Sequence, residues 1–278
     1  MEDLENNKAS NNDESEDDEM DFPDEDIDEM EKMNFDFEAF PPSEEDIEGL
    51  ENLLAQIFLR AEINRKELAD SIIKISPFGC VYKPAEESED EDSQSLVCGV
   101  LSIVGLTGKE KHSADVSNFV LQRAKKFATG SIFKQFERCL QANDGGNEVL
   151  QLKTGFLINE RLLQFPVQIS APAFSSLCQQ QNSDGIQNPK KKVGKAERRK
   201  LLTDTSDVIF DNPEEELLFT IQQQFPYFQY PVESEVESTS RFNCIRRNGQ
   251  VYRPYRRICL LTEEQFLQFA QLVSNSSF

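Results

Sequence analysis

Histidine occurs once in these 278 residues, basic side chains are almost missing from the first 48, and no uncharged apolar stretch exceeds the 11 residues from Leu96 to Leu106. Each shortage removes a class of reading. A membrane-spanning helix needs about 20 apolar residues, and Leu96–Leu106 is shorter and carries two glycines and a serine, so no span is expected. A secretory or transit peptide would open with basic residues ahead of an apolar core. This chain opens Met1-Glu2-Asp3 and stays acidic, so secretion by that route is not expected. The six cysteines, Cys80, Cys98, Cys139, Cys178, Cys244 and Cys259, stand at least 15 residues apart. They read as reduced, mostly buried thiols of a cytosolic or nuclear protein. Their spacing gives no support to a zinc site with His112.

The single histidine also limits catalysis. A Ser-His-Asp or Cys-His arrangement would have to use His112, because no other side chain has an unperturbed pKa suited to that base role. It follows Gly108-Lys109-Glu110-Lys111 and is read as lying in a polar, solvated loop before a helix. The same stretch fails as a phosphate loop. Gly105 and Gly108 are separated by two residues where four are needed, and Glu110 stands where a Ser or Thr would bind magnesium.

What is present is acid, concentrated at one end. Residues 1–48 hold 22 acids and two lysines, leaving 29 acids against 27 bases for residues 49–278. From Met1 to Lys32 almost every other residue is acidic and the apolar residues have no period, so residues 1–32 are predicted to be a disordered acidic tail. The remaining residues, 33–278, are long enough for a single domain that buries roughly 70% of its unfolded surface. It carries an acidic loop at 84–95 and a polar, basic linker at 182–206.

Within that domain the pattern alternates between periods. Met33 to Phe40 alternates as a half-buried strand, and Pro41-Pro42 stops it. Ser43 then caps a helix with Ile47, Leu50, Leu53, Leu54, Ile57 and Phe58 on one face. Asn64 and Glu67, at capping-box spacing, open a second helix with Leu68, Ile72 and Ile73 inward. Strands are predicted at Phe78–Lys83 and Leu96–Leu106. A helix opened by Ser113 is ended by Gly130, and another is opened by Ser131 and closed by Gly145-Gly146. Gly155–Asn159 lacks alternation and reads as a fully buried strand; Pro172–Gln181 reads as a helix. Val208–Phe210 is a short strand, and Asn212-Pro213-Glu214 has the cap, proline and acid of a helix start whose core face is Leu217, Leu218, Ile221 and Phe225. Strands near Tyr227–Val232, Arg241–Arg247 and Arg256–Leu261 precede a last helix begun by Thr262 and Gln265. The order implies an α/β sandwich around one mixed central sheet flanked by helices.

Two basic stretches interrupt the polar regions. Pro189–Lys200 carries seven bases, Lys190, Lys191, Lys192, Lys195, Arg198, Arg199 and Lys200, against one acid. It reads either as a nuclear import signal for an import receptor or as a solvated loop. Arg241, Arg246, Arg247, Arg253, Arg256 and Arg257 fall within 17 acid-free residues beside Phe242, Tyr252 and Tyr255. Basic residues beside aromatics can bind nucleic acid, but strand alternation would put some of these arginines on a solvent face and the acidic tail would repel phosphates or occupy the patch itself, so direct nucleic-acid binding is not expected. The tail itself suits cationic partners, since dense charge raises encounter rates. Ser15, three residues before Asp18, and Ser88, three before Glu91, are candidate acid-directed phosphorylation sites.

Taken together, several segments resemble the BCCIP family of eukaryotic nuclear proteins, named for binding a BRCA-type repair protein and a cyclin-dependent-kinase inhibitor. They are the acidic tail running into Phe35-Asp36-Phe37-Glu38-Ala39-Phe40, the segment Ile47–Phe58, Cys98–Val104 after a second acidic patch, and Gly155–Leu162 followed by Phe165-Pro166-Val167-Gln168. The basic run, the helix start at Asn212 and the closing helix follow in the family's order. The resemblance implies an acetyltransferase-like (GNAT-like) fold. Family members usually carry a further hydrophobic strand where only Asn182–Asn188 stands here, which implies a sheet one strand short. An acetyltransferase would need a Gln/Arg-x-x-Gly-x-Gly/Ala loop at a helix start. The nearest segment, Arg246–Val251, ends in valine and opens no helix. The resemblance therefore implies a non-enzymatic nuclear adaptor or chaperone without cofactor. Its partners would be basic client proteins, including a large-subunit ribosomal protein, together with cell-cycle or DNA-repair proteins, and it would shuttle to the cytoplasm. An acetyltransferase-like enzyme and a generic acidic histone chaperone are the alternatives.

Overall fold

The apolar run beginning at Leu96 becomes the centre of the molecule because both of its faces are covered. In the computed structural model of the chain, residues 37–85, 96–106, 110–141, 154–162, 165–182, 208–221, 224–236, 245–247 and 250–278 are described. Phe37–Phe40 (β1), Cys80–Pro84 (β2), Gly99–Gly105 (β3) and Gly155–Arg161 (β4) form one sheet in that order. Every neighbouring pair is antiparallel, so the mixed sheet expected from the sequence is corrected, among the described residues, to an antiparallel one. The reason lies in the connections. A single crossover helix returns the chain to the strand's starting end and gives a parallel neighbour. Here helices come in packed pairs between strands, Ile47–Phe58 (α1) with Arg65–Lys74 (α2), then Lys111–Phe127 (α3) with Gly130–Gln141 (α4). Two helix passes bring the chain back to the end it left, and the next strand runs the other way.

Alternation along the strands divides the core in two. Val81, Val100, Val104 and Ile158 face a cluster containing Leu50, Leu53, Leu54, Leu68, Ile72, Val116 and Val120 from the first three helices. Cys80, Tyr82 and Leu101 face the other side, where Phe174 and Leu177 of Ser170–Asn182 (α5) meet Phe269 and Val273 of Glu263–Ser274 (α6). Burying each such aliphatic side chain stabilises the fold by roughly 1.5–3 kcal/mol. Four further strands lie outside this sheet: Tyr227–Pro231 (β5) pairs with Tyr255–Cys259 (β8), and Ile245–Arg247 (β6) with Gln250–Tyr252 (β7). By contact density the chain divides into residues 1–35 and Asp36–Phe278, and all the elements named here belong to the second unit. Among the described residues no helix is long and apolar enough to cross a membrane.

Caps fall where the side chains placed them. Asn64 accepts from the Glu67 amide at 3.2 Å, and Thr262 and Gln265 cap each other across the start of α6. Ser43 forms its box with Asp46, at the start of a 3-10 turn, Glu44–Asp46, that leads into α1.

Several expectations are corrected. The first strand is described only from Phe37; Met33 and Phe35 lie outside the described residues. The helix placed at Ser113 begins at Lys111, because the Glu67 carboxylate of α2 accepts the Lys111 amide at 3.2 Å and supplies the cap from another helix. His112 is consequently buried in a first turn instead of lying in a solvated loop. Gly130 does not end that helix; it is the first residue of α4, and a Cβ there would meet nothing within 4 Å. Gly155–Arg161 is not fully buried, since as the edge strand it buries only Ile158 and Arg161. Val208–Phe210 forms no strand, and Val208 and Ile209 are exposed. Residues Pro213–Thr220 wind as a 3-10 helix whose first-turn acids turn inward to side chains of β4. Gly145-Gly146, the stretches 1–32 and 86–95, and the linker apart from Asn182 lie outside the described residues.

Candidate partner-binding surface

The segment Tyr227-Phe228-Gln229-Tyr230-Pro231 alternates, and the fold uses both of its faces differently. Phe228 and Tyr230 turn inward and are buried. Phe228 meets Phe136 of α4 edge-on at 5.2 Å, and Tyr230 stacks on Phe127 of α3 at 5.8 Å. Arg123 of α3 lies 5.0 Å from the Tyr230 ring and pairs with Glu235. Burial pushes the Tyr230 phenol up to about 12, against the opposing pull of Arg123 and Arg256.

The outer face carries Tyr227, Gln229 and Pro231, directly opposite Cys259, Arg257 and Tyr255. Arg257 reaches across to β5, where its Nη2 and Nε donate to Gln229 Oε1 at 2.9 and 3.3 Å. Its guanidinium lies 4.7 Å from the Phe219 ring and 5.1 Å from the Tyr227 ring. Beside β5 a cleft of about 410 Å³ opens against the α3–α4 elbow, lined there by Phe127, Ala128, Thr129 and Ile132. Among the described residues Arg257 is the one charged side chain lining it.

Among the described residues, Arg253, Arg256 and Arg257 of the clustered arginines turn to different surroundings. Arg241 lies outside the described residues, and Arg246 and Arg247 are placed only as backbone, on β6. Arg253 pairs with Glu233 on the surface. Arg256 turns to the inner face, donating to the Gln56 carbonyl at 2.7 Å with Glu160 of β4 at 3.7 Å. Burial raises the Glu160 carboxyl to about 7, Arg256 drawing it down and Asp211 pushing it up. Arg246–Val251 spans the β6–β7 pair, so the nearest match to a coenzyme A loop does not stand at a helix start.

Among the described residues the buried arginine is one that the sequence reading did not single out. Arg161, next to Glu160 on β4 but facing the opposite side, donates through Nη2 to Glu214 Oε2 at 2.7 Å and Asn212 Oδ1 at 2.9 Å, and through Nη1 to Ser170. Asn159 and Asn212 donate to Glu215 Oε1 at 3.1 and 3.2 Å. Burial still raises Glu215 to about 7, helped by the neighbouring Glu214 and Glu160 charges. This network ties β4 to the 3-10 helix and α5. His112 is likewise enclosed, with Glu67 3.7 Å from Nδ1 and Glu110 3.5 Å from Nε2. Cys80, Cys98, Cys139, Cys178 and Cys259 are free thiols; burial pushes Cys80 up to about 11 and Cys259 to about 12, the opposite of an activated nucleophile. The import candidates Lys190 to Lys200 and the phosphorylation candidates Ser15 and Ser88 lie outside the described residues. Tyr227, Gln229 and Phe219 were missed as partners of Arg257; the period-2 pattern of residues 227–231 was the available signal for the first two.

The described residues thus define a layered α/β domain whose outward feature is an aromatic and cationic strand face. The chain belongs to the BCCIP family, whose model matches residues 32–183. It is 30% identical to the Caenorhabditis elegans protein BCCIP homolog over 85% of this chain and 78% of that one. With the Drosophila melanogaster homolog the identity is also 30%, over 86% of this chain and 82% of the relative. The human BRCA2 and CDKN1A-interacting protein is 31% identical over 59% of this chain and 51% of its own length. Among solved structures, BCP1 from Saccharomyces cerevisiae aligns over 90% of this chain and 92% of that one, with a TM-score of 0.49 and 15% identity.

Proposed function

We propose that this chain is a non-enzymatic nuclear adaptor or chaperone that captures basic client proteins through its acidic N-terminal segment, a large-subunit ribosomal protein among them. On this reading it serves nuclear export and cell-cycle or DNA-repair regulation. The observation that carries the reading is family membership, since the human and bovine relatives are named as interacting proteins for BRCA2 and CDKN1A. Charge segregation supports it: 22 of 51 acids stand in residues 1–48 with only two lysines. Exposed charges act through water and are screened beyond about 8 Å at physiological salt, so the segment should act mainly on association.

Stopped-flow binding of a ribosomal protein client to the full chain and to a chain lacking residues 1–32, at several salt concentrations, tests this. Truncation should slow association most at low salt and leave the cooperative unfolding of the domain unchanged. An unchanged association rate at low salt would falsify the capture role. Pull-down of bound clients separates it from a generic histone chaperone, and calorimetry with acetyl-coenzyme A, where no complex is expected, separates it from an acetyltransferase-like enzyme. Nuclear entry is assigned to Lys190, Lys191, Lys192, Lys195, Arg198, Arg199 and Lys200; full nuclear accumulation after replacing Lys190, Lys191 and Lys192 by Ala would contradict it.

A further inference from the structure

The geometry points to a second docking site, of opposite charge and separate from the acidic segment: we propose that the free edge of β5 takes an extended peptide of a partner protein in which acidic and apolar residues alternate. The edge is defined by the ladder. The Val232 amide donates to the Pro254 carbonyl at 3.2 Å and the Leu260 amide to the Pro226 carbonyl at 2.8 Å. Even positions of β5 therefore face β8, and the backbone groups of Tyr227 and Gln229 face away from it. Among the described residues neither makes a backbone hydrogen bond on that side. The cleft against the α3–α4 elbow is lined by Tyr227 and Gln229, the same two residues whose backbone faces away from β8. An unpaired edge beside an open cleft is what strand addition requires.

The chemistry of the occupant follows from the two faces that an added strand would continue. Its inward side chains would enter the cleft beside Phe127, Ile132 and Phe228, which favours apolar residues. Its outward side chains would extend the row containing Gln229 and lie beside the Arg257 guanidinium, which favours carboxylates. Charge complementarity is specific here. Arg123, Arg253 and Arg256 each have a carboxylate within 4.0 Å. Arg257 has none among the described residues, although two rings and the Gln229 amide hold its guanidinium in place. Among the described residues no acid lines the cleft, and Lys125 and Lys126 are exposed at the adjoining end of α3. A preorganised guanidinium without its anion gives a charge-assisted hydrogen bond to an incoming carboxylate at low ordering cost.

The probe is a capped, fluorescein-labelled peptide of about ten residues alternating Glu and Val, titrated against the full chain by fluorescence anisotropy, with a Gln-Val peptide as the uncharged control. The Glu-Val peptide should bind saturably, the Gln-Val peptide about tenfold more weakly, a difference of about 1.4 kcal/mol. Arg257→Ala should abolish that tenfold preference, so that the two peptides bind alike, a coupling that a merely structural role would not produce. N-methylating alternate peptide nitrogens should abolish binding for the set facing β5 and spare the other set. Equal binding of the two peptides, a preference that survives Arg257→Ala, indifference to N-methylation, or no saturation by about 1 mM would each overturn the proposal. So would a single-stranded oligothymidylate that binds this face more tightly than the peptide with the same dependence on Arg257. The peptide arms leave the protein unaltered, so they decide the matter even if Arg257→Ala folds poorly.

Discussion

Arg161 and Arg257 are the same side chain in opposite circumstances. Arg161 is 5% exposed, and Glu214, Asn212 and Ser170 take up its donors on the buried side of β4. Arg257 lies on the outer face of a two-stranded ribbon, steadied by two rings and one amide. A guanidinium has five donors in a fixed fork. Where protein groups fill the fork, as at Arg161, the residue is a fastener; where one amide oxygen and aromatic faces hold it, as at Arg257, capacity is left for something else. Packing separates the two without reference to sequence, in which each is simply a strand arginine, Arg161 directly after Glu160 and Arg257 directly after Arg256.

The comparison breaks most readily at the buried end. Replacing Arg161 by Ala leaves Glu214 buried and unpaired, and removing one partner of a buried pair costs about 3–5 kcal/mol. Urea denaturation should show this loss, and the double variant Arg161→Met, Glu214→Leu should recover a large part of it. A loss below about 1 kcal/mol would place Arg161 with the surface arginines.

A smaller effect is expected from pH. Glu160 and Glu215 are raised to about 7, chiefly by burial, while an unfolded glutamate titrates near 4.3. The folded state therefore holds protons that the unfolded state has released. The contribution of these groups is fully present below about pH 4.3 and is lost as pH rises through about 7, so urea midpoints should fall between about pH 5 and pH 8. The change should be on the order of 1 kcal/mol or more for each carboxyl. Glu215→Gln should flatten the dependence, and a slope unchanged in both Glu160→Gln and Glu215→Gln would show that these carboxylates are not its source.

The smallest effect belongs to Arg257. Arg257→Ala removes stacking at a partly solvated site, where such contacts contribute about 0.5–1 kcal/mol, so the urea midpoint should shift little. A loss as large as that of Arg161→Ala would erase the contrast and mark the ribbon as part of the core.

Legibility followed the same division. The apolar stripe of α1, the Asn64 and Thr262 caps and the alternation of β5 could be read because each depends on residues a few positions apart. His112 was misplaced because its helix is capped by Glu67, which stands 44 positions before Lys111 in the chain. Val208–Phe210 was misread because β-branched residues form a strand only where a partner edge is offered. Arg161 was passed over because its anion stands 53 positions on, across the layer boundary.

By itself the sequence determined the local terms: the charge split between residues 1–48 and the rest, the helix faces, the caps and the family resemblance. These follow from composition, from spacings of three or four residues on a helix and two on a strand, and from the order of segments along the chain. Tertiary structure alone decided that the sheet runs antiparallel, that Glu214 meets Arg161, and that Arg257 lies beside the edge of β5 with no carboxylate among the described residues. Those outcomes depend on which ends of the sheet the helix pairs return to and which faces are then enclosed. Such pairings join residues far apart in the chain, and no local period encodes them.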